Sequence, residues 1–103
     1  SDKSKLKNQM KVYKVEDQNK WDERIKKAKD KVDELNSQME ELNQEYIKLK
    51  NNGLDDESKE LKKLIQKNEK IMIKIDQAMD KYNEEQNNPP ARLLRIQKIE
   101  SVI

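Results

Sequence analysis

Residues 21–53 read WDERIKKAKDKVDELNSQMEELNQEYIKLKNNG, and their apolar residues recur with a strict rhythm. Trp21, Ile25, Ala28, Val32, Leu35, Met39, Leu42, Tyr46 and Leu49 follow one another by alternating steps of four and three. An α-helix turns once in about 3.6 residues, so this spacing draws a single narrow apolar stripe along roughly eight turns. The one glycine of the chain, Gly53, follows at once in Asn51-Asn52-Gly53. That is where a helix C-cap needs a residue able to take positive φ. A long helix ending at a reversal is the expectation for this stretch.

Working toward the C-terminus, Asp55-Asp56-Glu57-Ser58 offers an N-cap and an acidic first turn for a second helix. Leu61, Leu64, Asn68, Ile71, Ile75, Ala78 and Tyr82 resume the three-four spacing, with Asn68 as a register-setting polar residue. Ile65, Met72 and Met79 lie beside that stripe and widen it, a pattern of a helix touching two neighbours rather than one. Ile73 points away from the stripe. Asn87-Asn88-Pro89-Pro90 forms a second break, because proline cannot continue a helix yet can open one. Leu93, Leu94, Ile96, Ile99, Val102 and Ile103 then mark a short third helix. It is expected to pack across the end of the hairpin holding Trp21, Ile25, Ile75 and Tyr82. Toward the N-terminus, Leu6, Met10 and Tyr13 could extend the first helix. Val12, Val15 and the polar run 16–20 break the register, so residues 1–19 read as a basic extension, partly helical and poorly packed.

The charge pattern tests the hairpin independently. Residues 33–45 carry Asp33, Glu34, Glu40, Glu41 and Glu45 and no base, whereas residues 59–74 carry six Lys and two Glu. Folding at Gly53 lays these stretches side by side. A parallel dimer of the first helix would instead set its acidic blocks against each other. The fold class is therefore all-α: an antiparallel helical hairpin extended to a three-helix bundle, with helices over about 20–50, 56–86 and 90–103.

Composition excludes much chemistry. The 103 residues include 23 Lys+Arg and 21 Asp+Glu, with no Cys and no His. Disulfides, thiolate nucleophiles, common zinc sites and the usual neutral-pH proton shuttle are all removed. No apolar run exceeds three residues, which predicts no membrane span and no signal-peptide core. The acidic pairs Asp55/Asp56, Glu40/Glu41 and Glu84/Glu85 lack a cleft that would shift their pKa values, and no Gly-rich phosphate loop is present. The expectation is a non-enzymatic, cytoplasmic protein without cofactor or metal, its oligomeric state open. Lys3, Lys5, Lys7, Lys11 and Lys14 read first as a solubilising tail, a nucleic-acid or anionic-membrane contact being the alternative. Trp21 reads as a residue buried between helices rather than one stacked on a ligand.

A more specific likeness sits near the C-terminus. Ile73-Lys74-Ile75-Asp76, and then Ala91-Arg92 with Ile96, Lys98, Ile99, Glu100 and Val102, resemble the second and third helices of the BAG domain. The resemblance covers roughly residues 28–103. It implies a co-chaperone module that binds the nucleotide-binding domain of a 70-kDa heat-shock chaperone and promotes nucleotide release. On that resemblance Asp76 and Arg92 would be salt-bridging contacts, with Lys98 and Glu100 beside them. Glu100 stands where the family usually has Gln, and Gln66 where an acid is usual. The rival reading is a coiled-coil scaffold that assembles with other helices, with a nucleic-acid-binding hairpin a distant third.

Overall fold

Gly53 reverses the chain as its position suggests. In the computed structural model, which describes residues 1–103, Gly53 has φ +90° and every other residue keeps φ negative. The Leu54 N–H donates to the Leu49 carbonyl at 3.2 Å and the Gly53 N–H to Lys50 at 3.0 Å. These are the two bonds of a Schellman cap, which satisfies carbonyls that a helix end would otherwise leave unpaired. The helix closed there, α1, runs from Asp2 to Asn51 without interruption, and α2 (Lys59–Gln86) returns along it. A third helix, α3, spans Ala91–Glu100. The chain is all-α and built on an antiparallel helical hairpin.

Two boundaries differ from the sequence reading. α2 begins at Lys59, not at 56: Ser58 is its N-cap, with Oγ accepting from the Leu61 N–H at 3.3 Å. The acidic residues before it are spent in the turn. The Glu57 N–H donates to Asp55 Oδ1 at 2.9 Å, and Asp56 Oδ1 accepts from the Tyr46 hydroxyl at 2.8 Å and from Lys50 Nζ at 3.3 Å. Those two donors hold the Asp56 carboxyl below its ordinary pKa, Tyr46 first. α3 ends at Glu100, where Ser101 and Val102 close it in a hydrogen-bonded turn, their N–H groups donating to the Gln97 and Ile99 carbonyls at 3.1 Å.

The seam between α1 and α2 is the predicted stripe. Leu35, Ile75 and Ala78 form its buried centre, with Val32, Met39 and Ile71 packed around them. Leu61 and Leu64 bury the end near the turn. Only 10 of 103 residues are buried, as befits two helices sharing one seam rather than several sharing a core.

The third helix does not pack across the end of the hairpin. It touches α1 alone, and no Cα of α3 comes within 8 Å of one in α2. α3 continues the line of α2 beyond the Asn87–Pro90 break, burying Leu93 and Ile96 against the N-terminal third of α1. The break contains no residue with positive φ, and Pro90 is extended at φ −57°, ψ 136°, so the strand carries on instead of reversing. The whole molecule is a rod with extents of 79 × 16 × 15 Å. Fifty residues of α1 at 1.5 Å each supply about 75 Å of that length.

Residues 1–19 are correspondingly not a loosely packed extension. α1 starts at Asp2, capped by Ser1, whose Oγ accepts from the Ser4 N–H at 3.2 Å. Met10 and Asp17 are buried beneath α3. The seam residues Met10, Lys14, Asp17, Trp21, Ile25 and Ala28 step by four, three, four, four and three. Two successive fours rotate the stripe and locally unwind the coil. That stutter lies opposite the break between α2 and α3.

Candidate functional site

The break in the second strand is refastened by side chains of α1. α2 ends in carbonyls that no further helical turn bonds, and at Glu85 the backbone offers only the Asn88 N–H at 3.4 Å. Trp21 Nε1 donates to the Glu85 carbonyl at 2.6 Å, and Arg24 Nη2 donates to the Asn88 carbonyl at 3.2 Å. The Glu85 carboxylate lies between Arg24 (3.4 Å) and Lys81 (2.9 Å). Lys81 first, with Arg24 adding its charge, keeps the Glu85 carboxyl ionised below its ordinary pKa. Trp21 is thus half-buried between helices, and its indole N–H works as a C-cap supplied from across the seam.

One turn further along, Arg92 of α3 closes the junction. Its Nε and Nη2 donate to Asp17 Oδ2 and Oδ1 at 2.9 and 2.7 Å, a bidentate pair, and Nη2 also reaches Glu16 at 3.3 Å. The guanidinium stands 4.0 Å from the centroid of the Tyr13 ring. The fork of bonds from Arg92 pulls the Asp17 pKa down, and Asp17 in turn raises that of Arg92. Glu100, at the far end of α3, pairs with Lys14 at 3.0 Å.

The four residues singled out as partner contacts therefore separate. Arg92 and Glu100 both point inward to α1 and tie α3 down. Asp76 and Lys98 are exposed and form no ion pair. Asp76 lies on α2, which α3 does not touch, so the structure does not gather the four into one patch. Asp17 and Arg24 are junction residues that sequence reasoning did not assign, and Trp21, read there as buried between helices, also caps α2. Only the stutter at Trp21 hints at them.

The two sides of the hairpin differ in chemistry. One groove is lined by Gln38, Glu41, Leu42, Glu45, Lys67, Lys70, Ile71 and Lys74. Here the acidic block of α1 faces the basic block of α2, as the charge pattern requires, although no pair closes to within 4 Å. The other groove, about 210 Å³, is lined by Leu42, Asn43, Tyr46, Leu64, Ile65 and Asn68. Asn68 is half-buried there; its Nδ2 reaches only the Met72 sulfur at 3.9 Å, and its Oδ1 is buried with no partner. No three acidic side chains converge in a way that could hold a metal ion, and no helix is long and apolar enough to cross a membrane. No protein-family model, no curated protein and no solved structure matches the chain.

Proposed function

We propose that the chain is a non-enzymatic protein-interaction module, a coiled-coil rod that assembles with other helices. One observation carries this reading. A single 50-residue helix carries α2 and α3 end to end, so that a 79 Å rod presents little but helix faces to its surroundings. Its concavities are open furrows along the helices, and the groups that do shift one another, Asp17 with Arg92 and Glu85 with Lys81, hold each other in their charged forms, away from the near-neutral pKa that general acid–base chemistry requires. The effort of the fold goes into length: Trp21, Arg24 and Asp17 bridge the one place where the second strand would otherwise come apart.

The co-chaperone reading is the more specific alternative, and the exposed, unpaired Asp76 favours it. It requires Arg92 to exchange Asp17 for a group on the chaperone. Calorimetric titration with the isolated nucleotide-binding domain of a 70-kDa heat-shock chaperone separates the two. The scaffold reading expects no heat of binding that depends on ATP or on Arg92. Binding that ATP weakens and that Arg92→Ala reduces at least tenfold would overturn it in favour of the co-chaperone, since linkage makes nucleotide and partner compete by the same factor.

A further inference from the structure

We propose that the side of the hairpin bearing Ile65, Met72 and Met79 receives a basic amphipathic helix from another protein, an inference that rests on the helix-pairing function proposed above. These three residues are 38%, 51% and 48% exposed and lie one heptad apart. They form a straight apolar line about 21 Å long, given a rise of 1.5 Å per residue. Scattered exposed apolar residues need no explanation, but a heptad-spaced row does. Such a row is the pattern of a helix with two neighbours, and α2 has one, since α3 passes it by.

At its Ile65 end the row opens into a groove that reaches α1 through Leu42, Asn43 and Tyr46. Ile47, 56% exposed, stands one turn from Asn43 on the same flank. Two of the three residues in the row are methionines, whose unbranched side chains adapt to a docked helix.

Charge names the occupant. Glu69 and Asp76 each lie three or four residues from members of the row, and so beside it on α2. Glu40 holds the matching place on α1, between Asn36 and Asn43. All three are exposed, and none forms an ion pair. Lys67, Lys70 and Lys74 of α2 line the opposite groove, and the lysines at the ends of this one, Lys29, Lys50 and Lys62, are each paired with an acid of their own: Asp33 at 3.4 Å, Asp56 at 3.3 Å and Glu57 at 3.1 Å. An apolar furrow with unpaired carboxylates on both banks and no unpaired cation beside them fits a helix with an apolar stripe flanked by Lys or Arg. A second copy pairing through the same face would set acids against acids, and an anionic bilayer would be repelled.

The test uses a fluorescent synthetic peptide of about 20 residues made only of leucine and lysine, with the leucines on one helical face. Its binding to the full chain is followed by anisotropy. Saturable binding is expected, weakened at least tenfold by Glu69→Gln/Asp76→Asn and by Met72→Ala/Met79→Ala. The charge-matched control Glu41→Gln/Glu45→Gln, on the other groove, should change it less than twofold. Absent binding, or equal losses for the two acidic pairs, overturns the proposal. So does sedimentation showing a dimer that Met72→Ala/Met79→Ala dissociates, because the occupant is then a second copy. Circular dichroism and sedimentation of the same proteins keep the two levels apart. An intact helical rod that ignores the peptide sinks only the docking face, whereas a chain that is not a helical rod removes the helix-pairing function as well.

Discussion

Leu93→Ala should release α3 while leaving the hairpin folded. α3 has ten residues, too few to be a stable helix on its own, so its structure depends on docking against α1. Its apolar anchorage is two side chains, Leu93 and Ile96, both at least 95% buried. Removing a buried leucine side chain costs about 2–5 kcal/mol, from lost transfer free energy and the cavity left behind. No α2 residue is near enough to α3 to share the loss. The penalty therefore falls on local docking, and it cannot exceed the docking free energy itself. At about 1.4 kcal/mol per factor of ten, the first 2 kcal/mol alone should reduce amide protection in α3 about thirtyfold. Hydrogen exchange read by mass spectrometry resolves this. Peptides covering residues 91–100 should exchange faster at neutral pH, while those covering 61–82 stay as protected as in the unmutated chain. Unchanged protection in α3 would refute the docking, and an equal loss along α2 would show that the rod unfolds as one unit.

Other substitutions probe the remaining joints. Asp17 has a lowered pKa in the folded chain, so its contribution is present above the unfolded value of about 3.9 and fades as pH falls through the folded value. Protection of α3 should be flat from neutral pH to about 5 and drop below about 4, whereas Asp17→Asn should show the weakened level throughout; a decline already at pH 6 would contradict this assignment. Gly53→Ala places a Cβ in open space but at φ +90°, so the strain is in the backbone alone, and chemical denaturation should show a loss of about 1 kcal/mol. Leu61→Ala, at the least exposed side chain in the molecule, should cost about 2–5 kcal/mol in the same assay, clearly more than Gly53→Ala; the reverse order would mean the turn, not the seam, governs stability. Trp21→Phe keeps the ring and deletes the N–H, so it should speed exchange in the last turn of α2 before any other segment.

What the sequence discloses and what it hides follow from the range of the interactions. The stripe from Trp21 to Leu49, the reversal at Gly53 and the stop at Pro89-Pro90 rest on local rules, so they are legible residue by residue. The N-terminal third of α1 is not, because its seam is built partly of charge. Asp17 and Lys14 occupy places where a hydrophobic residue would announce itself, and their partners Arg92 and Glu100 lie 75 and 86 residues away. No periodicity encodes such a pair. The course of α3 was hidden for a similar reason: a proline break says where a helix ends but not which way the next one leaves. Of the candidate site, the flanking row of Ile65, Met72 and Met79 was visible from its spacing. The groove beside it and the carboxylates along its banks required the pairing of α1 with α2.

The most direct test of the rod is small-angle X-ray scattering of the monomer in solution. With α2 and α3 laid end to end on an unbroken α1, the radius of gyration should lie near the Cα value of 23.1 Å and the longest dimension near 79 Å. A 103-residue chain folded into a compact bundle would instead give a radius of gyration near 13 Å. A value close to that compact limit would mean that α1 is broken or that α3 folds back, and the rod would be refuted.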